Sequence, residues 1–159
     1  MKILANNKKA RHDYFLEEKY EAGIELKGNE VKSIREGKVS IKESHVGDYK
    51  GELFIYNMNV TPYKQSYEKN IDPIRTRKLL LHKKEIDKLI GKVSQAGYTM
   101  IVNKIYLKEG LIKAEIALAK GKKIYDKRET IKKNDANRKI ERALKNYWYY
   151  GIYRIKKCL

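Results

Sequence analysis

Cysteine is almost absent: the one copy, Cys158, sits next to the C-terminus. It can form no internal disulfide, and no cysteine-based zinc site can be built from it. Three widely spaced histidines, His12, His45 and His82, do not suggest a histidine metal site either, so no cofactor is expected. No apolar run approaches the roughly 20 residues that a membrane-spanning helix requires. The start, Met1–Lys9, is too short in apolar residues for a secretory signal. The expectation is a cytoplasmic protein with no membrane partner. Acidic residues are outnumbered. There are 20 Asp and Glu against 37 Lys and Arg, which leaves a net charge of +17, beyond what solubility requires. A field of that sign collects polyanions. A lysine-rich composition supplies part of the excess. However, Arg11, Arg35, Arg75, Arg77, Arg128, Arg138 and Arg142 fall among other informative residues, which favours a polyanionic partner over drift.

A chain of 159 residues suits one domain with an ordinary core. From Tyr14 to Lys27 the period is two: Tyr14, Leu16, Tyr20, Ala22, Ile24 and Leu26 share a face, with Glu18 the exception, which predicts a long half-buried strand. Asn29 is placed to cap a short helix that turns Val31 and Ile34 inward and closes at Gly37. A strand region over Val39–Asp48 leads through Tyr49-Lys50-Gly51 into Glu52–Val60, with Phe54, Tyr56, Met58 and Val60 expected on one face. Tyr63–Pro73, preceded by Pro62, reads as a long polar loop. Arg77–Leu81 reads as a short buried strand. Lys83–Ala96 is the clearest helix, with Ile86, Leu89, Ile90 and Val93 at helical spacing and Gly97 after the end. Thr99–Lys108 and Leu111–Ala119 form a second hairpin across Glu109-Gly110. About six strands with two helices suggest a mainly β fold: a small antiparallel barrel of the oligonucleotide-binding kind, flanked by two or three helices. An open antiparallel sheet covered by one helix fits nearly as well.

Beyond Lys120 the character changes. Basic residues dominate and no continuous apolar stripe exists to bury. The expected division is a folded body over 1–120 and a basic tail over 121–159. The tail is expected to be disordered or loosely helical when alone and to order on a charged partner. A solvated helix without a role is the bland alternative.

Three clusters carry the functional signal. Asn6-Asn7-Lys8-Lys9-Ala10-Arg11-His12-Asp13-Tyr14 sets cations, amides and an imidazole before the first long strand, the groups that meet phosphates, sugars and bases. As a basic N-terminal arm it is a weak motif, and such arms are usually only solvated. Asp72–Leu81 places Arg75, Arg77 and Lys78 at the start of a buried strand, as a rigid basic edge or as snorkelling surface cations. Ala119–Arg128 has Gly121 as a hinge before Lys122, Lys123, Tyr125, Lys127 and Arg128. One tyrosine stacking on a base there is worth roughly 1–3 kcal/mol.

Taken in order, Asn7–Tyr14 (NKKARHDY), Tyr20–Arg35 (YEAGIELKGNEVKSIR), Asp72–Lys83 (DPIRTRKLLLHK) and Ala119–Arg128 (AKGKKIYDKR) closely resemble the small protein B family, the bacterial partners of transfer-messenger RNA (tmRNA, the SsrA RNA). The resemblance implies an oligonucleotide-binding-like barrel that clasps the transfer-RNA-like domain of that RNA and stands in for its missing anticodon arm. It also implies a tail that enters the empty messenger channel of a stalled ribosome and becomes helical there. The partners implied are tmRNA, the small-subunit decoding centre of the stalled ribosome, and elongation factor Tu within the tmRNA complex. Asn7, Lys8, Arg11, His12, Glu21, Arg35, Arg77, Lys78 and Leu80 match the family's RNA-contacting surface, with Arg75 beside them. Glu21 cannot bind phosphate; it is suited to accept from an amino or 2′-hydroxyl group or to fix a cation. Gly121 and Asp126-Lys127-Arg128 match the hinge and decoding-site motif, with Tyr125 where relatives often carry histidine.

Tyr147–Tyr153 departs from the pattern in being strongly aromatic. Stacking on ribosomal RNA, folding back and tolerated drift all remain open for it. Two other classes compete with binding: an RNA-cleaving enzyme using His12 with Glu21 as acid and base, and a structural ribosomal protein. No second histidine close to His12 in sequence, metal cluster or phosphate loop supports catalysis. The electrostatic reading predicts that affinity for RNA falls with salt. The log–log slope should be about −0.7 to −0.9 per phosphate neutralised; a complex insensitive to salt in a filter-binding titration contradicts it.

Overall fold

The computed structural model describes residues 1–95 and 97–157, and the side chains of these except 124–127 and 146–157. Two compact units emerge, Met1–Gly121 and Lys122–Leu159. The first is mainly β. In chain order it contains β1 (Lys2–Asn6), α1 (Lys8–Asp13), β2 (Tyr14–Ile24), α2 (Gly28–Arg35), β3 (Val39–Ser40), β4 (His45–Tyr49) and β5 (Glu52–Tyr56). There follow β6 (Asn59–Val60), β7 (Arg77–Leu80), α3 (Lys83–Val93), β8 (Tyr98–Lys108) and β9 (Leu111–Gly121). All pairings are antiparallel: β1 with β8, β8 with β4, β4 with β5, β5 with β7, β7 with β2, β2 with β9, and β9 with β8. β3 and β6 form a separate two-stranded ribbon.

Both expected hairpins form, and for the expected reason. Lys50 and Gly51 (φ 49° and 74°) and Glu109 and Gly110 (φ 51° and 77°) take the left-handed region at both central positions. That geometry matches the twist of the flanking strands. The alternation of β2 also appears, with Ala22 and Ile24 buried and Glu17, Lys19, Glu21 outward.

Other expectations need correction. The basic arm is ordered structure: β1 pairs with β8, and the Asn7 side chain then accepts the Ala10 N–H at 3.0 Å to start α1. This short helix packs small Ala10 against Ala117, Ala119 and Ile101. Both faces of β9 are therefore covered near its end. The cap of α2 is Lys27 rather than Asn29, whose side chain instead accepts from the Glu30 N–H at 2.8 Å. In β5 the buried residues are Leu53 and Ile55, while Phe54 and Tyr56 stand on the other face. Asn57 explains the error: its φ of 58° breaks the extended run, so Met58 and Val60 re-enter the core out of phase with Phe54. The Val39–Asp48 region is split into β3 and β4. α3 ends at Val93 rather than Ala96, which lies outside the described residues.

The main core gathers Ile34, Val46, Leu53, Ile55, Leu79, Leu89, Met100, Ile105 and Ile116. The second unit is one helix, α4 (Ile124–Lys157). Ile131, Ile140 and Leu144 are exposed along it. Among the described residues no helix is long and apolar enough to cross a membrane. The corrected phase of β5 gives a direct test. Leu53→Ala should lose about 2–5 kcal/mol of unfolding free energy and Phe54→Ala less than half as much, read from urea denaturation; the reverse order would restore the simple alternation.

Candidate nucleic-acid interface

The arginine cluster of 75–78 is built inward. Glu30, on the buried face of α2, is only 3% exposed, and Arg77 is 0% exposed. Arg77 Nε donates to Glu30 Oε2 at 2.6 Å and Arg75 Nε to Oε1 at 2.8 Å. The remaining Arg77 donors reach the carbonyls of Met58 (2.7 Å), Arg75 (2.9 Å) and Pro73 (3.3 Å). A buried guanidinium tolerates its surroundings only when its donors are satisfied in this way. Arg77 is thus an internal clamp, buried where the basic-edge expectation placed an exposed cation. Arg75 is half-buried on the same carboxylate, and Lys78 pairs with Glu52 at 2.9 Å. Sequence reasoning missed Glu30. Its signal was present: an acid sharing the inward face of α2 with Ile34 needs a buried cation.

Asn7 is likewise internal, 3% exposed. Its amide donates to the carbonyls of Ile41 and Val102, both at 3.0 Å, while its oxygen caps α1. Its hydrogen bonds in the body thus fix where α1 starts. The helix it aims leaves Lys8 and Arg11 exposed and His12 half-exposed, with Nδ1 of His12 3.0 Å from Asp13. Arg11 Nε donates to Oδ1 of buried Asn103 at 3.2 Å, and Asn103 Nδ2 donates to Glu115 at 2.5 Å. Lys104 (3.0 Å) and Lys19 (3.8 Å) complete the surroundings of Glu115. Burial pushes the Glu115 carboxyl up, but these hydrogen bonds and cations outweigh it and hold the group below its ordinary value.

Glu115 is the register partner of Glu21, which brings the second patch alongside. The Tyr106 hydroxyl donates to Glu21 at 2.5 Å, and Lys108 lies 3.2 Å away. The tyrosine bond, then the lysine, hold Glu21 below the usual carboxylate range. Burial first, and then Glu21, push the Tyr106 phenol up. A carboxylate fixed in this way presents a lone pair and no proton. Leu80, 53% exposed, sits opposite Gly23, where a Cβ would come within 3.2 Å of its own. Depressions of about 510 and 290 Å³ flank it: Glu21, Lys78 and Lys113 line the first, Arg35 and Leu111 the second. The Arg35 guanidinium donates to the Gly110 carbonyl at 3.0 Å.

Of the expected contact residues, Lys8, Arg11, Glu21, Arg35 and Leu80 are exposed and Lys78 is half-buried, whereas Asn7 and Arg77 are buried. Asn103, Tyr106 and Glu115 were missed, because only strand register reveals that they link α1 to Glu21. Gly121, exposed, is the last residue of β9 and of the first unit; in the second unit Lys123 is exposed, Arg128 is exposed on α4, and Lys122 Nζ lies 3.3 Å from Thr130 Oγ1. The side chains of Tyr125, Asp126 and Lys127 lie outside the described residues, as do those of Tyr147–Tyr153 and Cys158. Among the described residues no group of three His, Cys, Asp or Glu is placed to hold a metal ion.

The family described as SmpB protein matches residues 4–146. The chain belongs to the SmpB family. An SsrA-binding protein of Geobacillus thermodenitrificans is 56% identical over 144 residues, spanning 91% of this chain and 93% of that protein. Another, from Halothermothrix orenii, is 57% identical over 150 residues, spanning 94% and 97%. A solved SmpB structure, described as "tmRNA-SmpB: a journey to the center of the bacterial ribosome", is 50% identical with a TM-score of 0.63, covering 75% of this chain and 84% of that one. The family resemblance seen in the four sequence clusters is thus upheld over nearly the whole length.

For this SmpB chain the clamp gives a sharp expectation. Arg77→Ala leaves Glu30 half-paired in the interior and should destabilise the body by about 3–5 kcal/mol in thermal or urea unfolding. Lys8→Ala should leave stability within about 0.5 kcal/mol.

Proposed function

We propose that the chain binds tmRNA, the SsrA RNA, and serves in trans-translation on stalled ribosomes. The observation that carries this is identity above 55% to SsrA-binding proteins over more than nine-tenths of both chains. The site chemistry agrees with it. Lys8 and Arg11 supply phosphate contacts, Arg35 and Lys113 flank apolar Leu80, and ionised Glu21 accepts from a 2′-hydroxyl or amino group. The ring of pairings through β8, β4, β5, β7, β2 and β9 reads as a closed barrel of the oligonucleotide-binding kind. In this reading the body, 1–120, grips the transfer-RNA-like domain and replaces its absent anticodon arm. The tail, 121–159, is loosely ordered when free and becomes helical in the empty messenger channel, with Gly121 as hinge. Lys122, Lys123, Tyr125, Asp126, Lys127 and Arg128 then meet the decoding centre. Elongation factor Tu accompanies the complex as the carrier of the charged RNA, in the cytoplasm. The protein acts by shape and charge without a chemical step of its own. Among the described residues no hydrogen bond joins His12 to Glu21; His12 pairs with Asp13, and Glu21 with Tyr106 and Lys108.

Two measurements test this. RNA copurifying with the chain from its native cell should be dominated by one transfer-RNA-like species; a broad mixture of cellular RNA argues against the assignment. Ending the chain after Lys120 should keep most of the tmRNA affinity and abolish tagging of the nascent chain on stalled ribosomes. If the truncated chain loses tmRNA, the division of labour between body and tail is wrong.

A further inference from the structure

The longest connection of the body has no part in the surface described above. Residues 61–76 contain no helix or strand, and ordered connections of that length are uncommon and usually functional. The ends of this loop are tied down: the Val60 N–H donates to Pro73 O at 2.9 Å, the Thr61 N–H to Lys38 O at 3.1 Å, and Arg75 grips Glu30. Its outer part folds against the start of α2, where the Asn29 amide donates to Glu68 at 3.1 Å. Inside the loop the Ser66 N–H donates to Tyr63 O at 3.0 Å, and the Tyr63 hydroxyl to Gln65 at 3.1 Å. Between loop and helix lies a groove of about 650 Å³, lined by Lys27, Asn29, Lys32, Tyr63, Gln65 and Tyr67 among others. That volume suits a nucleotide-sized ligand.

The chemistry of the groove is specific. Lys32 Nζ stands 5.5 Å over the Tyr63 ring, so a cation and a π-face occur together. Tyr67 is fully exposed. Lone exposed rings are ordinary, but this one sits at the mouth of a cationic groove. Lys64 and Lys69 are exposed beside it on the loop. Lys27 and Lys32 line the groove against one acid, Glu68, already engaged by Asn29. Phosphate is therefore favoured, and the tyrosine offers a surface that any base can cover.

We propose that the groove between α2 and loop 61–76 is a second RNA site that takes an unpaired nucleotide. Tyr67 stacks on the base, Lys27 and Lys32 neutralise its phosphates, and the Asn29 and Gln65 amides meet sugar or base edges. Stacking plus cations binds single strands with little sequence preference, and it is unavailable to bases locked in a duplex. The proposal rests on the reading of the chain as an RNA-binding protein but not on which RNA it prefers.

The test uses the full chain, a fluorescent ten-nucleotide oligouridine and a blunt RNA duplex of ten base pairs. Tyr67→Ala should weaken oligouridine binding by about thirtyfold, the middle of the range for base stacking, and alter duplex binding by less than about twofold. Tyr67→Phe should keep both. Oligouridine carrying 4-thiouridine should crosslink to peptides of residues 61–76. Unchanged oligouridine affinity for Tyr67→Ala, or an equal loss on the duplex, overturns the proposal. A chain that holds oligouridine through Tyr67 yet shows no preference for tmRNA sinks only the assignment of the RNA partner. Preference for tmRNA with binding independent of Tyr67 sinks only the second site.

Discussion

Glu30 is an acid on the inward face of a short helix, and two arginines that are distant in sequence converge on it. Its two oxygens take one guanidinium each, and Arg77 spends its other donors on three carbonyls from the Met58–Arg75 stretch. One network thereby fixes α2, the end of the long connection and the first residue of β7 relative to each other. Breaking a buried pair is costly because a charge is left behind without a partner. Every surface group argued to meet RNA on β7 or α2 inherits its position from this clamp. Arg35 sits at the end of the helix that carries Glu30, and Lys78 and Leu80 follow Arg77 on the same strand. The cations the sequence displays most openly are thus of two kinds. Some face solvent, and some hold the frame that presents the others.

The outward face of β2, β9 and β8 shows a milder form of the same principle. Carboxylates are placed among cations, so the basic surface is ordered rather than diffuse. Glu115 collects Lys104 and Lys19 with the neutral donor Asn103, and Glu21 collects Lys108 with the neutral donor Tyr106. Both stay ionised because their hydrogen bonds favour the charged form. A protein with a charge of +17 needs such anchors if its lysines are to hold fixed positions against mutual repulsion.

Much of this was readable from the chain. Period-two alternation located β2 and β9, and left-handed turn residues located both hairpins. The family resemblance came from four long clusters. What escaped reading were features set by pairing rather than by local pattern. β1 has too few residues to announce itself without β8. Asn57 shifted the phase of a strand in a way that no hydrophobic count reveals. Arg77 looks like a surface cation in sequence because its counter-charge is 47 residues away. The link from Arg11 to Glu21 through Asn103 and Glu115 exists only once strand register is known.

The single helix of the second unit sets a scale. At roughly 1.5 Å per residue, the 34 residues of α4 extend for about 50 Å, comparable to the width of a small domain and more. Residues 124–157 hold 11 of the 37 lysines and arginines and 4 of the 20 acids, so +7 of the net charge of +17 belongs to this helix. A helix converts sequence position into distance: deleting one residue retracts everything beyond it by one rise and swings it about 100° around the axis, so an internal deletion in α4 changes both the reach and the facing of every cation that follows.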